Sequence, residues 1–156
     1  MKIFIGGDHR GFELKAKITA FLKTQGHQVV DVGSYEAGVM CDYPPLSEKV
    51  ATLVAKTKGS RGILVCMTGI GHSIAANKVV GAYAALVYNK EAAILSRQHN
   101  NSNILVLGAK FSDPAEINDI VKAWLTTEFE GGRHLRRVKQ IKAIEKKVRK
   151  HGFKTQ

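Results

Sequence analysis

The sequence predicts an α/β domain of three layers, in which a five-stranded parallel sheet is covered by helices on both faces. Short apolar, β-branched runs alternate with segments of helical periodicity along the chain, which is the pattern of strand and crossover helix. The runs are apolar throughout rather than at every second residue, as strands buried on both faces must be. The chain has 156 residues, 44% hydrophobic content and three prolines, with no repeat, low-complexity tract or linker. One compact domain over residues 1–150, followed by a basic tail at 151–156, is the economical expectation.

The elements follow in order. Strand runs are expected at residues 2–6, 29–32, 62–65, 83–87 and 103–107. Helical patterns fall between them at 11–24, 44–56, 73–78, 90–98 and 114–126. The third strand is the most informative. Ile63, Leu64 and Val65 lead directly into Cys66, and Thr68, Gly69, Gly71 and Ser73 then supply small residues ahead of Ala75 and Ala76. Beyond the fifth strand and its helix, Leu135, Val138, Ile141, Ile144 and Val148 recur at helical spacing, so the chain ends in an amphipathic C-terminal helix.

The formal net charge of +11 raises nucleic acid as a partner until the charge is located. From Arg133 onward there are ten Lys and Arg against one acid, Glu145, which leaves the body of the chain near neutrality. The tail helix therefore has a basic outer face that solvent or packing explains. Phe153 is the only aromatic residue there, too few for a stacking surface, so nucleic acid is not the expected partner. Two cysteines, no secretory segment and no apolar run of membrane-spanning length point to a reduced, cytoplasmic setting. Cys41 has no activating neighbour in sequence and reads as a bystander.

Ligands of open parallel sheets bind beyond the carboxyl ends of the strands. That rule selects Asp8 and His9 after the first strand and Cys66, Met67, Thr68 and Gly69 after the third. Ser96 to Asn100, with His99, close the helix that follows the fourth strand. Each has a plain structural alternative: Asp8 as a helix cap, His9 on the surface, His99 complementing a helix dipole, Cys66 as an inert buried thiol. His27, His72 and His151 read as surface, loop or helix-start residues. A free thiol is only about 3 per cent thiolate at neutral pH, and amides at a helix start favour the charged form. The same amides would receive an oxyanion. Metal-ligand spacings are missing, so no metal is expected. A lone GxG at Gly69 and Gly71 does not make a dinucleotide site.

Five ordered motifs now carry a resemblance. Gly7-Asp8-His9-Arg10-Gly11, Asp42-Tyr43-Pro44, Cys66 to Gly71 with Ser73 to Lys78, Ser96 to Asn100, and Glu130-Gly131-Gly132-Arg133-His134 occur in the order found in type B ribose-5-phosphate isomerases. The resemblance extends through about Lys147. It implies a sheet of order 2-1-3-5-4 and a homodimer, or a tetramer built from it, with active sites shared between subunits. It also implies an aldose–ketose isomerase that needs no cofactor.

By the same resemblance, Cys66 is the base, Thr68 lies near the sugar oxygens, and Tyr43 lines the pocket. Asp8 and His99 serve ring opening and proton handling, with His99 and Asn100 supplied by the partner. His9, Arg133 and Arg137 match phosphate-contacting positions. The amides of Gly69, Gly71 and Ser73 are the expected oxyanion donors. Met67 stands where a glycine is usual and narrows the pocket. Lys110 stands where many relatives carry an arginine, offering a point charge instead of a fork. A hexose phosphate such as allose 6-phosphate is the alternative substrate, and a non-catalytic phosphosugar-binding module the alternative function.

Overall fold

The computed structural model describes residues 1–151, with side chains through Val148. Arg149 as a side chain, Phe153 and the expected basic tail, apart from the backbone of His151, lie outside the described residues. Five strands, β1 (Lys2–Gly7), β2 (Gln28–Asp31), β3 (Arg61–Cys66), β4 (Ala84–Val87) and β5 (Ile104–Gly108), form one sheet. Its order is β2-β1-β3-β5-β4 and every pair is parallel, as the resemblance implied. Helices α1 (Phe12–Thr24), α2 (Tyr43–Lys56), α3 (Ile70–Ala76), α4 (Lys90–Asn100) and α5 (Ile117–Thr126) alternate with the strands, and α6 (Gly132–His151) closes the chain.

The pleat divides the core in two. Ile3, Ile5, Ile63, Val65, Leu105 and Leu107 face one side, against Ile18 and Leu22 of α1, Ala93 of α4, and Ile117, Ile120 and Trp124 of α5. Phe4, Leu64, Ile104 and Val106 face the other, against Val50, Ala51 and Val54 of α2 and Ala76 of α3. The inner residues of both sets are fully buried, and each such side chain contributes about 1.5–3 kcal/mol of transfer free energy. Lys15 is also buried. Its Nζ lies 2.6 Å from an Asp31 carboxylate oxygen and donates to the Ser34 carbonyl at 2.7 Å, tying α1 to the end of β2.

Most boundaries differ from the sequence expectation by one or two residues, and the starts of α3 and α5 by three. Helix α3 starts at Ile70 rather than residue 73 and stops at Ala76, because Gly69 takes the left-handed conformation, φ 82°, and turns the chain into the helix at once. Gly71 then lies inside the first turn. A side chain there would strike the Tyr43 ring, 2.5 Å from Cζ. The helix expected from 114 begins at Ile117, since the Asp113 side chain accepts the Ala115 amide and the Asp113 carbonyl accepts that of Glu116, forming a turn first. On α6 only Val138 of the five apolar positions is buried; Leu135, Ile141, Ile144 and Val148 are exposed in the single chain.

Candidate active site

Cys66 ends β3 and is 6% exposed. Its Sγ accepts the Gly69 amide at 3.0 Å. Burial pushes the thiol up. The amides of Gly69 and Thr68, and more weakly that of His72, oppose this, while the Asp8 carboxylate adds to it. The expected bias toward thiolate is thus present in the amides but outweighed by desolvation in the free protein. Asp8 accepts the backbone N–H groups of Arg10 and Gly11 on one carboxylate oxygen, both at 3.0 Å. Asp8 therefore makes a turn ahead of α1 and not the helix cap the sequence offered, since Gly11 is the N-cap and no side chain caps the helix; its second oxygen is left for other partners. Gly11 brings α1 against β3 so closely that a side chain there would meet the Val65 carbonyl.

Around this centre stand the other strand-end residues. The Tyr43 ring meets that of His72 edge-on at 5.6 Å between centroids. Thr68 accepts the Ile70 amide on its hydroxyl at 3.3 Å, and Tyr88 donates to the Thr68 carbonyl. The Met67 carbonyl accepts the Lys110 amide at 2.9 Å, which holds the loop after β5 against the loop after β3. The Met67 side chain reaches toward Arg10, with Sδ 4.0 Å from Nη1. Two clefts that share His9 open at this edge, one of about 320 Å³ along Asp8 and Tyr43 and one of about 520 Å³ along Arg10 and Ser112. Both fall in the size range of small-molecule sites.

Of the three amides expected to receive an oxyanion, one is left. The Gly69 amide serves the thiol, and the Ser73 amide donates within the helix to the Gly69 carbonyl at 3.0 Å. Gly71 N–H has neither partner, and Ser73 retains its hydroxyl.

His99, Asn100, Arg133 and Arg137 are elsewhere. Helix α4 runs back from the end of β4 to the start of β5, so its last turn lies at the opposite edge of the sheet from Cys66, about 16 Å along the helix axis. There the His99 ring stacks on that of His134, with centroids 4.2 Å apart and planes 4° from parallel. His134 Nε2 lies 3.5 Å from a Glu130 carboxylate oxygen, and the Glu130 amide donates to the Gln98 carbonyl. Burial and then His99 pull the His134 imidazole down. Arg133 and Arg137 are exposed, four residues apart along α6 and on one face. One chain therefore places the expected site residues in two groups at opposite ends of the strands.

Sequence reasoning missed His72. It is fully buried in α3, and its Nδ1 lies 2.6 Å from the Ser47 hydroxyl. Burial pushes its imidazole down to about 4, so it is neutral. Its signal in sequence is a histidine between small residues, which does not distinguish a buried first turn from a loop.

With this geometry in hand, the sequence profile of the ribose/galactose isomerase family matches residues 3–141. Ribose-5-phosphate isomerase B of Escherichia coli is 44% identical over 146 residues, covering 94% of this chain and 97% of that protein. Among solved structures, Clostridium thermocellum ribose-5-phosphate isomerase B superposes with a TM-score of 0.92 at 48% identity, covering 95% of this chain and 99% of the other. The Mycoplasma genitalium enzyme with bound ribulose-5-phosphate gives 0.89 at 44% identity, covering 93% and 96%.

Proposed function

The chain belongs to the ribose/galactose isomerase family, and on that premise we propose that it interconverts ribose 5-phosphate and ribulose 5-phosphate, with Cys66 as the base. The observation that carries this is the buried, amide-contacted thiol at the end of β3, within a match that spans nearly the whole chain. In the open-chain sugar the Cys66 thiolate takes the proton from C2, the electron pair moves toward the carbonyl oxygen, and an enediolate forms. The proton returns to C1 as the O2 proton passes to O1, giving the ketose. Burial favours the thiol in the free protein, and the amides of Gly69 and Thr68 favour the thiolate that the reaction requires. Gly71 N–H is the remaining fixed donor to the growing oxygen charge, and Thr68 binds the adjacent hydroxyl.

Asp8 and His99 open the ring, Tyr43 and Met67 bound the pocket, and His9, Lys110, Arg133 and Arg137 hold the phosphate. Support for a shared site comes from topology. Within one chain, Asp8, His9 and Cys66 are separated by the sheet from His99, Asn100, Arg133 and Arg137, so a pocket containing both sets needs a second copy. The exposed apolar residues of α6 give such a homodimer a surface to bury. Among the described residues no helix is long and apolar enough to cross a membrane.

Turnover of a panel of pentose and hexose phosphates tests the assignment. The highest kcat/KM is expected for ribose 5-phosphate, since Met67 narrows the pocket. A preference for allose 6-phosphate would move the protein to the hexose substrate, and binding without turnover would make it a phosphosugar-binding module.

A further inference from the structure

The base belongs to a set of donors whose third member, His72, isomerisation leaves unused. One carboxylate oxygen of Asp8, the sulfur of Cys66 and one imidazole nitrogen of His72 all lie within 4.8 Å of one another, and all three residues are buried. Ser47 Oγ lies 2.9 Å from the Tyr43 carbonyl and 2.6 Å from His72 Nδ1. In the form in which the hydroxyl donates to that carbonyl, the ring donates from Nδ1–H and Nε2 keeps its lone pair for a metal. Among the described residues Nε2 has no hydrogen-bond partner within bonding geometry, although His72 is fully buried.

We propose that Asp8, Cys66 and His72 form a binding site for a thiophilic divalent cation of the Zn²⁺ class, which shuts the isomerase off by taking its base as a ligand. The shut-off, though not the site, rests on the assignment of Cys66 as the base. A sulfur, an imidazole nitrogen and a carboxylate oxygen are the donors Zn²⁺ takes, at about 2.3, 2.0 and 2.1 Å, whereas Mg²⁺ prefers oxygen alone. Tetrahedral angles at those lengths bring donors to roughly 3.3–3.6 Å apart, against the 4.8 Å within which the three atoms now lie. Binding replaces the thiol proton, which leaves to solvent, with the Zn–S bond. Two anionic ligands then balance the cation, so the buried site carries no net charge. A water or a sugar oxygen fills the fourth position. The three ligands sit at positions 8, 66 and 72, and no local spacing motif would reveal them.

Calorimetric titration of the metal-free full-length protein with Zn²⁺ alone tests the site. One ion per chain is expected, with at least 100-fold weaker binding in His72→Leu and no comparable uptake of Mg²⁺. Asp8→Asn keeps the oxygen that accepts the Arg10 and Gly11 amides, and should weaken binding at least tenfold; it serves if His72→Leu does not fold. No uptake by the wild type, or uptake unchanged in the folded variants, overturns the proposal. So does uptake lost only in His134→Leu, which would place the ion at the His99, Glu130 and His134 group. Inhibition should follow occupancy, and its midpoint should shift with the variants. Zn²⁺ bound here with turnover intact would overturn the shut-off and the role of Cys66 as base while leaving the site. An enzyme killed by Cys66→Ala yet indifferent to Zn²⁺ would overturn the site and leave the base.

Discussion

Gly11→Ala adds one methyl group at the tightest approach between α1 and the strand that carries Cys66. The new Cβ would fall against the Val65 carbonyl, 2.5 Å from its carbon and 3.0 Å from the Cys66 nitrogen, where ordinary contact begins near 3.4 Å. All of these neighbours are backbone, and the Val65 carbonyl is held by the Asp8 amide at 3.3 Å, so no flexible side chain can yield. Gly11 has φ −97°, a conformation alanine adopts freely, so the effect is contact alone. Helix and strand must part by about 1 Å, and overpacking of this kind costs about 3 kcal/mol, the upper end of the usual range. For a domain of this size that lowers Tm by roughly 6–12 °C. The same shift moves the Asp8 turn against Cys66, and a misplacement of about 1 Å lowers kcat by roughly 100-fold. Scanning calorimetry and steady-state kinetics with ribose 5-phosphate read both effects. A variant with wild-type Tm and kcat would show that this contact does not set the position of the thiol.

Arg137→Ala should raise KM for ribose 5-phosphate roughly 10- to 100-fold, because a charge-assisted hydrogen bond to phosphate contributes about 1.5–3 kcal/mol. Lys142→Ala, on an exposed part of the same helix, should not; equal effects would replace the clamp with diffuse electrostatics. Burial raises the Cys66 thiol, so its alkylation by iodoacetamide should be slow at neutral pH and rise only above the pH at which an ordinary thiol reacts. A rate that levels off below that pH would refute the dominance of burial. Cys66→Ala and His99→Ala proteins, each inactive, should recover about a quarter of wild-type activity when equal amounts exchange subunits at random. Heterodimers proven by mass spectrometry but without activity would place both residues in one chain's pocket.

The sheet was legible because Ile3 to Ile5, Ile63 to Val65 and Ile104 to Leu107 are apolar on consecutive residues, and a strand buried on both faces admits little else. The start of α3 was not. Gly69 and Gly71 look like helix breakers in sequence, yet one supplies a left-handed turn and the other the space that the Tyr43 ring occupies. The residues near Cys66 were legible from the strand-end rule, while their balance of charge was not. Amides that favour a thiolate can be inferred from a helix start, but the burial that outweighs them depends on how closely the neighbouring elements pack. His72 was hidden for the same reason. The separation of His99 from Cys66 follows from the antiparallel run of α4, so it is visible once topology is known and not from the local motif.

Cys66→Ala, assayed for both turnover and binding of ribose 5-phosphate, tests the central claim most directly. The substitution removes the proposed base and leaves the proposed phosphate ligands His9, Lys110, Arg133 and Arg137 in place. Isomerisation should be lost while the sugar phosphate still binds with an affinity close to that of the wild type. Turnover near the wild-type rate would contradict the assignment of Cys66 as the base.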